Sequence, residues 1–141
     1  MGTPRKRRPA GLLDKPALRL LVALVATENP RRAHHARTEV ERYGKATEEE
    51  LATIPRGLMS YEVKQVTHST KAPGALVDQG LAEYTNLAQF DAYGHYGDNW
   101  PLLHVTQAGR DHLAQYRAAY AEFHPDVVLP TVSAAAVPAD S

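Results

Sequence analysis

Two short stretches, in this order, decide how the chain folds: LVDQGLAEY at residues 76–84 and LLHVTQAGRDHL at residues 102–113. The first reads as an apolar helix end, a glycine and the start of an extended run. The second is a short apolar run, a threonine suited to cap a helix, and a glycine inside that helix's first turn. Leu76 must face the core if the other side of its helix is to stay free. Gly80 stands where the chain reverses from helix into strand, a turn that favours positive φ and therefore glycine. Leu81 anchors the strand, Thr106 caps the last helix by accepting a backbone N–H, and Gly109 lets that helix cross the sheet closely. Leu81–Tyr84 and Leu102–Val105 are the expected strands, joined by a loop containing glycines and aromatics.

Outward from there, the rest of the middle of the chain is helical in pattern. Asp14 is the expected N-cap of the first helix, with Pro16 in the first turn, where its missing N–H costs little. Leu18, Leu21, Val22 and Val25 follow the helical repeat, Leu20 and Leu24 widen the stripe, and Pro30 marks the stop. A second helix is expected over Ala33–Tyr43, with Gly44 as a left-handed cap. Thr47 and Glu50 form a capping-box pattern ahead of a short helix that ends before Pro55 and Gly57. Ser60 is placed to cap the helix YEVKQVTH, and Ser69 or Thr70 to open KAPGALVDQ, whose Pro73 must fall in its first turn. The last helix is expected as one piece from about Thr106 to Phe123, apolar along Leu113, Tyr116, Tyr120 and Phe123.

The chain has 141 residues, enough for one domain, and contains no cysteine, which excludes disulfides, cysteine-based zinc sites and a thiol nucleophile. Residues 1–45 hold eleven Lys or Arg against four acids, and residues 46–141 five against twelve, so the net zero is +7 against −7. A basic first third suits a polyanion such as nucleic acid, and it equally suits a solvated tail followed by a charged helix face. Residues 1–11 and 125–141, rich in proline and small residues, read as disordered tails around a domain at 12–124. The longest apolar run, LRLLVALVA, is too short to span a bilayer, and Asp14, Lys15 and Pro16 argue against a secretory leader. No membrane association and a cytoplasmic location are therefore expected. The seven histidines show no helical zinc spacing, and no catalytic motif is present. The chain reads as a non-enzyme with no metal and no cofactor.

Two helices joined by a short polar turn, then two strands, are how a helix-turn-helix with a wing is written. The segment from about Ser60 to Leu113 resembles the winged helix-turn-helix of bacterial transcriptional regulators of the MarR and PadR kind. Leu76, Gly80 and Leu81 match that family's Leu-x-x-x-Gly-Leu. Val105, Thr106, Gly109 and Leu113 match its Leu-Thr-x-x-Gly-x-x-x-Leu, with valine in the first place. The resemblance implies a mainly α fold with a small β-hairpin, a helix-turn-helix at about 60–80, a wing at about 81–105 and binding to double-stranded DNA. Two features depart from the pattern: Pro73 and Gly74 fall near the start of the recognition helix, and the wing, Tyr84–Leu103, has Asp91 and Asp98 but no Lys or Arg.

On this reading Ser69, Thr70 and Lys71 enter the major groove first, and Lys64 and Gln65 touch the backbone. The alternative is that Ser69 and Thr70 are merely caps and Lys71 a solvated cation. Arg5, Lys6, Arg7 and Arg8 form a basic arm able to follow phosphates. Arg31, Arg32, His34, His35 and Arg37 make a second basic cluster, at the start of the second helix, where a bound anion would relieve an unfavourable dipole. Phe90, Tyr93, Tyr96 and Trp100 either stack on bases, or close the hairpin or pack on a neighbouring subunit. Tyr116, Tyr120 and Phe123 are the expected homodimer interface. The alternative is a winged-helix scaffold that binds a protein instead of DNA.

Overall fold

The computed structural model describes residues 11–27, 35–90 and 98–130. Among these, the chain is mostly helical with a small three-stranded antiparallel sheet. The elements run α1 (Lys15–Ala26), α2 (His35–Tyr43), α3 (Glu48–Leu51), β1 (Leu58–Met59), α4 (Ser60–Val66), α5 (Ala72–Asp78), β2 (Ala82–Asn86), a 3-10 turn (Leu87–Phe90), β3 (Pro101–Val105), α6 (Gln107–Gln115) and α7 (Arg117–Phe123).

The two expected strands exist and pair with each other, Ala82 opposite Val105 and Tyr84 opposite Leu103. A third strand, β1, was not expected; it pairs with the other side of β3, Leu58 opposite Leu103, so that β3 is central in the order β1-β3-β2. Apolar clusters pack on both faces of β3, and this explains why residues 102–105 are all buried. Successive residues face opposite ways. Leu103 and Val105 join Leu58 in a cluster with α1, α4, α5, α6 and α7. Leu102 joins Met59, Trp100, Leu87 and Phe90 in a second cluster with Ala36, Val40 and Leu51 of α2 and α3. The sheet therefore separates two apolar cores.

Helix α1 starts as expected. Asp14 accepts the Ala17 N–H at 3.0 Å, and Pro16 lies in the first turn. It buries Ala17, Leu18, Leu20, Leu21 and Leu24 and packs on α5, α4 and β3. The helix ends at Ala26, earlier than Pro30 implied, with the Thr27 hydroxyl donating to the Leu24 carbonyl at 2.7 Å. The Thr47 capping box forms in full. Gly80 adopts φ 73°, and Thr106 accepts the Gly109 N–H at 3.1 Å while its hydroxyl donates to the Gly80 carbonyl at 2.6 Å. One threonine thus caps α6 and ties down the turn before β2. A Cβ on Gly109 would lie 2.3 Å from the Leu81 carbonyl oxygen, so the close crossing is real.

Several expectations need correction. Gly44 is not left-handed. Its N–H continues to the Val40 carbonyl at 2.7 Å, and a Cβ there would meet the Phe90 and Val40 carbonyl oxygens at 2.8 Å each, so close packing is what requires glycine. Ser60 does not cap α4. The Glu62 carboxylate does, accepting the Met59 N–H at 2.9 Å, and Ser60 is the first helical residue. The last helix is two helices, broken at Tyr116, whose φ of −102° and ψ of 14° leave the α region. Residues 125–130 pack on the domain: Val127 and Leu129 lie against the larger core, Asp126 bridges Lys15 at 2.8 Å, and Arg117 donates to the Pro130 carbonyl at 2.5 Å.

Tyr120, one of the three residues expected at a dimer interface, is 0 % exposed within the single chain. Its hydroxyl accepts the Leu13 N–H at 2.7 Å and lies 2.6 Å from His112 Nε2, and its ring stacks on His124. The segment before α1 covers the face that seemed to need a partner. Tyr116 and Phe123 are half-buried against the same core. Among the described residues no helix is long and apolar enough to cross a membrane.

Candidate nucleic-acid interface

The helix pair α4 and α5 is joined by a turn at 67–71 built from hydroxyls. The Ser69 N–H donates to Thr67 Oγ1 at 3.3 Å, and the Lys71 N–H donates to Ser69 Oγ at 3.2 Å. Such side-chain to backbone bonds satisfy a turn that neither helix can satisfy itself. Neither Ser69 nor Thr70 caps α5. Lys71 occupies the N-cap position and supplies only its carbonyl, to the Ala75 N–H at 3.0 Å. Pro73 falls in the first turn, where it is tolerated, and Ala72 and Leu76 bury the helix against the core.

Of the expected contact residues, Lys64, Gln65, Thr70 and Lys71 are exposed and Ser69 is half-exposed. The structure brings Lys64, Ser69 and Thr70 to the edge of one groove. Arg5, Lys6, Arg7 and Arg8 lie outside the described residues, as do Arg31, Arg32, His34, Asp91, Tyr93 and Tyr96. Among the described residues Lys64 and Lys71 form no ion pair. Other cations are partly neutralised: Arg37 meets Glu48 at 2.8 Å and Glu41 at 3.8 Å, and Lys15 and Arg19 share Asp126. The Lys15 ammonium beside it holds the Asp126 carboxyl below its usual value. Two unpaired ammonium groups on one helix pair are available to phosphate oxygens.

The rest of the surface is less basic. Helix α5, APGALVD, carries no cation, and β2 exposes Glu83 and Tyr84. Phe90 and Trp100 are buried in the smaller core and close the hairpin, so these two are not available for stacking on bases. His104 is buried on β3, its ring 2.9 Å from the Thr85 hydroxyl and 3.9 Å from Glu83. Tyr61, 47 % exposed on α4, is hydrogen-bonded to His35 Nε2 of α2. Burial first, then the Glu62 and Glu39 charges, raise the pKa of the Tyr61 hydroxyl above its usual value, so it stays protonated. Among the described residues no three His, Asp or Glu side chains converge as a metal site.

Tyr84 is the one aromatic residue that lines this surface among the described residues, and it was not singled out from the sequence. The signal for α4 was present, because Ser60, Val63, Lys64 and Thr67 follow the helical repeat and face one groove. No signal pointed to Tyr84, whose exposure depends on which face of β2 the core covers. No protein-family profile, curated protein or solved structure matches the chain.

Proposed function

We propose that the chain is a double-stranded-DNA-binding regulator of the winged helix-turn-helix kind. The observation that carries this reading is the chain order together with the pairing: α4, a five-residue turn, α5, then the hairpin β2–β3 with β1 added on β3. That arrangement leaves Lys64 and Lys71 solvent-facing on the helix pair, where a phosphate backbone would pass. The contact set is Lys64, Gln65, Ser69, Thr70 and Lys71, with Arg5–Arg8 as an arm. The chain is not an enzyme on this reading and needs no cofactor. A homodimer on an inverted-repeat site would use Tyr116 and Phe123 without Tyr120. Its two helix pairs would sit about 34 Å apart.

The test is fluorescence anisotropy of a labelled duplex at low salt. Binding in the roughly micromolar range typical of non-specific complexes is expected. Lys64→Glu and Lys71→Glu each weaken it, with circular dichroism unchanged. Absence of binding, or indifference to both charge reversals, rejects the proposal.

A second reading keeps the fold and changes the partner. The bare face of α5 and the exposed Glu83 and Tyr84 on β2 favour a protein scaffold over a base reader, because bidentate base contacts need Arg, Asn or Gln near the start of the helix. Failure of both charge reversals to matter moves the weight to this reading.

A further inference from the structure

The chain just before α1 is held against α6 and α7 by three titratable side chains. The Leu13 N–H donates to the Tyr120 hydroxyl at 2.7 Å, and His124 Nε2 donates to the Leu13 carbonyl at 3.3 Å. His112 Nε2 lies 2.6 Å from the same hydroxyl. Leu12 and Leu13 fill the larger core beside them. The two histidines answer a proton differently. His124 donates to a carbonyl, which a protonated imidazole does equally well. His112 accepts the Tyr120 proton, which only the neutral ring can do. Once protonated, its Nε2 carries a hydrogen and competes with the Leu13 N–H for the hydroxyl oxygen. Among the described residues no carboxylate pairs with the ring to offset the new charge. Tyr116 and Tyr120 face it, and His124 stacks behind Tyr120. Asp111, its neighbour on α6, is bonded to Gln107. Asp14 caps α1, Asp126 is shared by Lys15 and Arg19, and His104 of β3 faces Thr85 and Glu83. Burial is accordingly what lowers the His112 pKa.

We propose that residues 11–13 are a latch that protonation of His112 opens while the rest of the domain stays folded. The latch can open alone because Asp14, immediately after it, caps α1 through a local bond to the Ala17 N–H, so α1 need not move. In the open state His112 returns to water and to its ordinary affinity for a proton. Each pH unit below about 6.5 then favours the open state by up to tenfold, until the closed state binds the proton as well. Opening frees three residues at the root of the basic arm and lengthens the reach of Arg5–Arg8 by roughly 10 Å. The gain in phosphate contacts that follows rests on the DNA-binding reading, whereas the latch does not.

The experiment is amide hydrogen exchange on the full chain between pH 7.5 and 5, at several urea concentrations below the unfolding transition. The Leu13 amide should exchange through a local opening, with protection that does not respond to urea, while protection of Leu103 falls. Leu13 protection should drop by up to tenfold per pH unit below about pH 6.5. The drop should stop where the His112 ring, followed by its own resonances, titrates. His112→Gln removes the pH dependence and His124→Gln keeps it, with circular dichroism showing each variant folded. Leu13 and Leu103 responding alike to urea would show that the segment leaves only with the whole domain, and overturns the latch. A pH dependence that survives His112→Gln overturns it too. So does a drop in the wild type that continues past the titration of His112, a result that needs no variant to fold. The salt slope of duplex binding should steepen more in wild type than in His112→Gln between pH 7.5 and 5.5. Equal steepening overturns the consequence for the arm. A working latch on a protein that binds no duplex rejects the DNA-binding reading and upholds the latch.

Discussion

At Gly109 a single hydrogen atom decides whether α6 can cross the sheet. A Cβ there meets the Leu81 carbonyl at 2.3 Å and Val105 Cγ2 at 2.7 Å, and the first of these is backbone that cannot rotate away. Gly109→Ala is therefore expected to cost about 1–3 kcal/mol in urea unfolding, the range of an overpacked core. Gly74 is the control: nothing lies within 4 Å of its Cβ position and its φ is ordinary, so Gly74→Ala should stabilise by about 0.4–1 kcal/mol. Equal effects at the two glycines would contradict the crossing. Gly80 and Gly109 were legible because a turn and a close approach follow from neighbours in sequence. Gly44 was misread because its need for glycine comes from the Phe90 carbonyl, far along the chain. His112 sets a pH dependence. The Tyr120 hydroxyl accepts from Leu13 and has one proton to give, and His112 Nε2, 2.6 Å away, takes it only while unprotonated. Burial lowers the His112 pKa below its usual 6.5. As pH falls from about 6.5 the unfolded chain binds the proton first, so stability due to this group is lost as pH drops through the lowered folded value. The stability advantage of wild type over His112→Gln should shrink between about pH 7 and pH 5, and an advantage independent of pH would disprove the neutral-histidine network.

Among the elements, those with their own stop and start signals were readable and those made by distant partners were not. Asp14, Thr47 and Thr106 each announce a helix, and each accepts the backbone N–H three residues on. Strand β1 has two residues, too few for any alternation, and exists because β3 has a free side to pair with. The break between α6 and α7 has no proline or glycine; Tyr116 leaves helical geometry where Tyr120 turns inward to Leu13 and His112. The turn between α4 and α5 begins two residues earlier than the expected helix YEVKQVTH allowed, and its hydroxyls fold it instead of capping α5. Thr106 is the element-scale test. It serves both α6 and the Gly80 turn, so Thr106→Ala should reach the upper part of the ~0.5–2 kcal/mol range for a lost N-cap. Thr106→Ser keeps both bonds and should recover most of the loss. If serine fails to rescue, the hydroxyl is not what holds the corner.

For the whole molecule, charge is segregated along the chain, and this makes the last prediction. The first 45 residues carry +7 and the remainder −7. A protein of zero net charge has no overall attraction to DNA, so binding must come from the positive part being presented on its own. The core interface offers two free cations, Lys64 and Lys71, and β2 offers an acid, Glu83. By itself that surface should give a shallow salt dependence. Arg5, Lys6, Arg7 and Arg8 add four adjacent charges. On duplex DNA each phosphate neutralised steepens the slope of log K against log salt by about 0.9. If the arm engages two to four phosphates, deleting residues 1–10 should flatten the slope by about 2–4 and weaken binding most at low salt, while leaving the melting temperature of the domain unchanged. The deletion also separates the two partners proposed above. A regulator loses affinity for every duplex together, because phosphate contacts carry no sequence information. A scaffold that meets its partner through α5 and β2 loses nothing. An unchanged slope after deletion would show that the arm takes no part, and would leave Lys64 and Lys71 as the only charges on which DNA binding by the described residues of α4, the turn and β2 can rest.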